Sequence, residues 1–276
     1  MLNPKAQRTL LNAVELFLVA LIALVILVPI AWVLLAAFKQ QVDVYQLKLF
    51  FTPTLENFKI IWGGQFDIKN KLINSVIVAG STVLVTIPLA TVAAYSFSRF
   101  RLFGGKVLLV MILATQFVPA VVIVLPFFVF YRDLGLLDSR FGLVLIYLSL
   151  LMPFAVWMIK GFIDGIPLDT EEAAMVDGSS RIQVIKNIVL PMAMPGIITA
   201  AIFCFILAWN EFIFAIILTT KYAQTMPVGL ALFNTEEGTR WELLSAAGLI
   251  IMIPIFILAL IIQKHFVKGM TMGAVR

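Results

Sequence analysis

Charge is scarce in this chain. Asp, Glu, Lys and Arg make up 13% of its 276 residues, where a soluble domain carries roughly a quarter, so too little polar surface exists to cover a water-facing globule. A single cysteine, Cys204, lies inside an apolar run. That excludes a disulfide framework or a thiolate metal site, and Cys204 reads as a small buried hydrophobe. A single histidine, His265, leaves no His-Glu-x-x-His zinc helix, and neither Gly-x-Ser-x-Gly nor a Gly-x-x-x-x-Gly-Lys-Ser/Thr phosphate loop occurs. ATP binding therefore cannot be assigned to this chain, and an intramembrane hydrolase or metalloenzyme has no support. Neither a short-period repeat nor a low-complexity linker divides it, so one domain over residues 1-276 is expected.

What the chain has in abundance is apolar sequence, 62% of residues, arranged in uncharged intervals close to or above the ~18 residues that cross a bilayer as a helix. The expected spans are about 14-38, 72-97, 107-131, 141-163, 196-220 and 243-264, the fifth interrupted by Glu211. A barrel is disfavoured, because its strands would alternate polar and apolar residues over ~10 positions and these runs do not alternate. The fold class is thus all-α integral membrane with six transmembrane helices. The first run follows the basic residues Lys5 and Arg8 as in a signal peptide, but it is too long for one and is expected to stay as a span. Helix 2 carries Ser75, Ala79, Gly80, Ser81, Thr82, Thr86, Ala90, Thr91, Ala93 and Ala94. Small residues allow close backbone approach, so this helix is expected at the centre of a bundle.

Lys and Arg divide 11 to 9 between the two sides, and 11 to 4 once the long segment 39-71 is set aside. The positive-inside rule is strongest for short loops, which places both termini, residues 99-106 and residues 165-191 in the cytoplasm. The net charge of +5 suits anionic headgroups and does not call for nucleic acid. Among the polar residues of the outer segment, Phe50, Phe51, Phe58, Trp62 and Phe66 read as interface anchors.

Residues 165-191 form a polar island between two spans. Asp169 with Glu172 reads as a capping box, Pro167 favours a helix start and Gly178 suits a left-handed stop. Ser180 with Gln183 is a second capping pair, and Pro191 reads as the end of that second helix. Glu172-Ala173-Ala174, with Gly178, Ile188 and Leu190-Pro191 at their spacing, resembles the EAA loop of ABC importer permeases. Seven residue types at fixed spacing match by chance at roughly 10⁻⁸ per start position. The resemblance implies a type I ABC importer fold in which this loop is a coupling helix seated in a cleft of a cytoplasmic ATPase. Its coupling residues would be Glu172, Ala173, Ala174, Asp177, Gly178, Ile188, Leu190 and Pro191. A plain helical hairpin joining two spans is the alternative.

Further stretches are similar to carbohydrate-type importer permeases. Pro53-Thr54-Leu55-Glu56-Asn57-Phe58 resembles a "P-T-L-x-N-F" stretch after the first helix, and Trp209-Asn210-Glu211-Phe212 a "W-N-E-F" sequence in the fifth span. The tail from Lys268, with Arg276 where Lys is usual, resembles that of the smaller, maltose-permease-like subunit; a positive helix end at the inner leaflet would look the same. A carboxylate in mid-membrane costs ~2.5 to 3.5 kcal/mol. Trp209, Asn210 and Glu211 are therefore weighed either as lining for a sugar path or, for Glu211, as half of a pair with another helix. Gln116 is a further path candidate beside Pro119 and Pro126, which both interrupt helix 3; an interhelical hydrogen bond is the other reading. Asn74, Ser75, Tyr147 and Ser149 are lesser polar positions.

The resemblance implies a transmembrane subunit that forms half of the path for a sugar, a disaccharide or oligosaccharide, in an ATP-driven importer of the cell inner membrane. Implied partners are a second permease, two ATPase subunits that bind ATP and Mg, an extracytoplasmic sugar-binding protein and membrane lipid. This chain would hold no cofactor or metal and would not be an enzyme. A polyol or glycerol phosphate is the alternative substrate. A stand-alone secondary transporter using Glu211 for a proton, or a membrane scaffold, are the other classes.

Overall fold

The computed structural model describes residues 4–236 and 238–273, with side chains from 11 to 260 save 237. The helices are α1 (Pro4–Ala37), α2 (Gln41–Tyr45), α3 (Glu56–Trp62), α4 (Ile68–Arg99), α5 (Gly105–Ala114), α6 (Ala120–Asp133) and α7 (Arg140–Asp164). They continue with α8 (Leu168–Val176), α9 (Arg181–Val184), α10 (Leu190–Trp209), α11 (Ile213–Leu218), α12 (Met226–Ala231) and α13 (Trp241–Gly273). A small hairpin, β1 (Asn234–Thr235) against β2 (Gly238–Thr239), precedes α13. Among the described residues, five helices are long and apolar enough to cross a bilayer: 11–37 of α1, α4, α7, Arg181–Trp209 and 241–260 of α13. The pair Gly105–Phe117 and Ala120–Asp133, bent by 95°, makes a sixth when taken as one span. The chain divides into two compact units, one comprising residues up to Ile68 with Leu230–Ile253, the other Lys69–Gly229 with the residues from Pro254.

In the first unit, the apolar window of α1 is wholly unburied, as a helix apolar on every side requires when lipid or another chain surrounds it. The segment after it folds back through Asn57, whose buried amide donates to Ala37 O at 2.9 Å and Lys39 O at 2.8 Å. Ala37 ends α1 and Lys39 lies just past it, where no intrahelical donor reaches. Phe58 packs on Phe38 at 5.2 Å between centroids, so the Pro53–Phe58 stretch is a clasp on the end of α1. Lys39 is fully buried with its ammonium 4.6 Å from the Trp32 ring and 4.9 Å from the Phe51 ring, close enough for cation–π attraction. Of the expected interface aromatics, Phe50 and Trp62 are exposed, while Phe66 packs on Phe233.

The second unit is a bundle built on α4, α7 and α10. Ser75, Ala79, Thr82, Thr86, Ala90 and Ala94 are all buried and recur every three to four residues, one stripe of α4. α7 packs on α10, and Gly196 of α10 lies so close to the Phe162 ring of α7 that any added Cβ would overlap it.

Three elements depart from the sequence expectation. Only Pro119 interrupts the third span: Val118 and Pro119 are extended, while Pro126 lies inside an unbroken α6. The residue before a proline is forced out of the helical region, and here that produces the bend. Second, Pro191 does not end a helix. Ile185–Val189 form a π-helical turn that leads straight into α10, with Pro191 at its second residue, so the helix absorbs a residue without an N–H just past a locally widened turn. Third, where one continuous run over 196-220 is expected, the helix ends at Trp209 and restarts at Ile213, which leaves Glu211 in a break. The side chains of Lys264, His265 and Lys268, and Arg276 altogether, lie outside the described residues.

Candidate functional site

The polar island 165-191 folds as α8, a tight turn, α9 and the π-helical turn. Pro167 rather than Asp169 occupies the position before α8, and no side-chain cap forms there, which corrects the Asp169–Glu172 capping box: Asp169 lies within the first helical turn. The Ser180–Gln183 box is present, with Ser180 N–H donating to Gln183 Oε1 at 2.7 Å and Gln183 N–H to Ser180 Oγ at 3.4 Å. Gly178 has φ +87°, a conformation in which any Cβ is strained. The outer face of α8 presents Leu168, Glu172, Ala173 and Val176, all exposed, followed by exposed Asp177 and Gly178. Val176 is 87% exposed and Ile182 78% exposed. Both apolar side chains lie beside exposed acidic residues, Glu172 and Asp177. Ala174, Ile188 and Leu190 are half-buried behind that face, and Pro191 is exposed.

The adjacent residue Glu171 points the opposite way and is 3% exposed. Arg99, the last residue of α4, donates through Nε to Glu171 Oε1 at 2.7 Å. Its Nη2 reaches Ile163 O and Ile166 O, both at 2.9 Å, and Nη1 reaches Ser98 Oγ at 3.0 Å. Tyr95 donates to Glu171 Oε2 at 3.1 Å. Ser98 Oγ donates to Asp164 Oδ1 at 2.6 Å, and Lys160 closes the chain on Asp164 at 2.6 Å. Sequence reasoning missed this cluster. In the sequence Arg99 counts only toward loop charge, and nothing separates Glu171 from Glu172 except helical phase, which needs the true start of α8.

A second polar group surrounds the break after α10. Trp209 is buried at 1% exposure and stacks on Phe205 at 5.5 Å. Asn210 is exposed and donates to Ile206 O, in its own helix, at 2.8 Å. Glu211 is half-buried, its carboxylate accepting Phe214 N–H at 2.8 Å and Ala215 N–H at 3.1 Å. It thus satisfies the free amides that begin α11, a role that neither expectation for Glu211 included. Tyr147, buried on α7, faces Glu211, and Thr225, buried in the loop before α12, faces Tyr147. Gln116 is exposed in the 3₁₀ turn at the bend, and its Nε2 donates to Leu150 O at 2.9 Å, an interhelical bond. Of the four expected path residues, Trp209, Asn210 and Glu211 thus sit at the break after α10 and Gln116 at the bend of the third span.

The loop 219–226 beside that group is held by Asp138, which the sequence did not single out, and by Asn74 and Ser75, two of the lesser polar positions. Asp138, at φ +53°, accepts N–H bonds from Thr220, Lys221, Tyr222 and Ala223 at 3.0 to 3.2 Å. Burial acts to raise its carboxyl pKa; the amides of Tyr222, Ala223 and Lys221 with the Thr220 hydroxyl together outweigh it and lower the value from 3.8 to about 2. Asn74 donates to Tyr222 O and Gln224 O at 2.8 Å and accepts from Arg140 Nε at 2.7 Å. Ser75 Oγ takes the Met226 N–H at 2.7 Å. Among the described residues, no group of three or more His, Cys, Asp or Glu side chains could hold a metal ion.

Residues 86–272 match the family model described as binding-protein-dependent transport system inner membrane component. The chain is 33% identical over 260 residues to the trehalose/maltose transport system permease protein MalG of Thermococcus litoralis, covering 93% of this chain and 94% of that one. It is 35% identical over 256 residues to the trehalose transport system permease protein SugB of Mycobacterium tuberculosis, at 91% and 92% coverage. Its fold matches a chain in the crystal structure of a bacterial ABC transporter that imports the acidic polysaccharide alginate, with a TM-score of 0.79, 23% identity and coverage of 96% and 99%.

Proposed function

Since the chain belongs to the family of inner-membrane components of binding-protein-dependent transport systems, we propose that it is one of two permease subunits of an ATP-driven sugar importer, coupled to its ATPases through α8. Relatives over nine-tenths of the chain that carry trehalose or maltose support a disaccharide or oligosaccharide as substrate. The observation that carries the coupling is the two-faced α8: Glu172, Ala173 and Val176 exposed on one side, Glu171 buried on the other. The open face is the docking surface for an ATPase subunit, and Glu172 to Gly178 contact it. Both termini and residues 165-191 face the cytoplasm, in keeping with the excess of Lys and Arg in the short loops on that side. An extracytoplasmic binding protein delivers the sugar, and ATP with Mg is bound and hydrolysed on the partner subunits.

In this reading, closure of the ATPases displaces α8, and hydrolysis lets the bundle return, a two-state equilibrium biased by ligands at both ends. Exposed Asn210 and Gln116 line the sugar path. Glu211 supports that wall by capping α11, and Trp209 braces it from the core. Substitution Gly178→Trp places a Cβ at φ +87° and a bulky ring on the docking face. The variant is expected in the membrane at normal abundance, with ATPase copurification and uptake of labelled maltose or trehalose both abolished. Normal copurification with normal uptake would overturn the coupling assignment. Calorimetric titration of the binding protein with mono- and disaccharides assigns the sugar.

A further inference from the structure

A buried ion pair needs an explanation, because removing two charges from water costs several kcal/mol and apolar side chains of the same volume often do as well. Arg99 and Glu171 are 5% and 4% exposed at their side chains. What distinguishes them is that the guanidinium bonds three pieces of backbone architecture at once. It holds α4 through its own position, the last turn of α7 and the link to α8 through the carbonyls of Ile163 and Ile166, and the first turn of α8 through Glu171. The Ile163 carbonyl also accepts the Ile166 N–H at 3.0 Å, so the guanidinium binds the turn that closes α7. A cation at the end of α7 and an anion in the first turn of α8 both suit the helix dipoles. Tyr95, one turn back on α4, takes the second Glu171 oxygen, so neither charged group is left with an idle face toward the protein.

We infer that Arg99 and Glu171 form a rigid joint that converts displacement of α8 into movement of α4 and α7, and that they are positioning residues of the transport cycle. This rests on the reading of α8 as the ATPase-facing helix. Bonded networks between packed elements carry displacement from one to the next. The outward face of α8 docks; the inward face, through this pair, is what prevents α8 from sliding while the bundle stays still. Lysine in place of arginine keeps the charge but lacks the planar fork that reaches a carboxylate and two carbonyls together.

The test uses the assembled importer in liposomes, with its binding protein and labelled maltose or trehalose, and compares Arg99→Lys, Glu171→Gln and the milder Tyr95→Phe. Arg99→Lys and Glu171→Gln are expected to copurify with their ATPases and keep basal hydrolysis, while uptake per ATP hydrolysed and stimulation by loaded binding protein fall about tenfold. Tyr95→Phe, which removes one hydrogen bond to the Glu171 carboxylate but leaves Arg99 in place, is expected to lose less than the other two, about threefold. An unchanged uptake-to-hydrolysis ratio in all three would overturn the proposal, as would loss of assembly in all three, which would make the pair a folding contact only. Gly178→Trp, run alongside, separates the two claims. If it abolishes copurification while the Arg99 and Glu171 variants transport normally, docking stands and the joint falls; if it docks and transports normally, the α8 reading itself falls.

Discussion

Asp138 shows what a single side chain can organise. It accepts four successive backbone amides, and its carboxyl is held at about 2. A carboxylate whose folded pKa lies below its ordinary 3.8 stabilises the loop fully above that ordinary value. It loses the contribution only as pH falls from 3.8 through about 2. Amide exchange of Lys221, Tyr222 and Ala223 is therefore expected to show no loss of protection between pH 7 and pH 5. Asp138→Asn, which keeps one acceptor oxygen and loses the charge, is expected to speed their exchange about tenfold, measured by hydrogen–deuterium exchange at neutral pH; unchanged protection would refute the clamp. None of this was legible beforehand, because Asp138 and its donors are 82 to 85 residues apart and a lone Asp in a turn carries no signal. Glu211 was legible as an anomaly but not in its role. An acidic residue inside an apolar run announces a partner, yet that partner is the start of α11, which exists only because the helix breaks at Trp209.

At the scale of elements, the apolar runs were readable because crossing a bilayer is a property of composition over some twenty residues. Breaks within them were harder, since they depend on how a helix absorbs a proline. Pro119 and Pro126 are the same residue type in the same span, but only the first bends it. Pro191 looked like a stop, and a π-helical turn before it carries the helix onward. The stripe of small residues on α4 was read correctly as a packing face, for six of the positions named are buried. Gly196 went unremarked, although it sets the approach of α10 to Phe162 of α7. Gly196→Leu is expected to cost about 1 to 3 kcal/mol by overpacking and to lower the melting temperature of the detergent-purified protein. Adding Phe162→Ala should restore part of that loss through direct coupling of the pair; additive losses would contradict the close approach.

For the whole molecule, scarcity of charge, absence of a phosphate loop and the spacing from Glu172 to Pro191 suffice to point to a membrane subunit whose energy comes from another chain. The family match over residues 86–272 agrees with that inference. The residues exposed on α8 stand in the motif, but the buried contact behind them could not be read: Arg99 and Glu171 are 72 residues apart and each resembles an ordinary loop charge. A direct test exploits the lone cysteine. Cys204 is buried, so Val176→Cys, at a position 87% exposed, supplies one reactive thiol on the face of α8. Cross-linking this variant in inner-membrane vesicles with a short bifunctional maleimide is the decisive measurement, given one cysteine in the cleft of the partner ATPase subunit. The account predicts a single heterodimeric band between this chain and the ATPase, with a yield that changes when ATP and vanadate are added. A thiol that reacts only with membrane-impermeant reagent from outside the cell, or that never joins the ATPase, would contradict it.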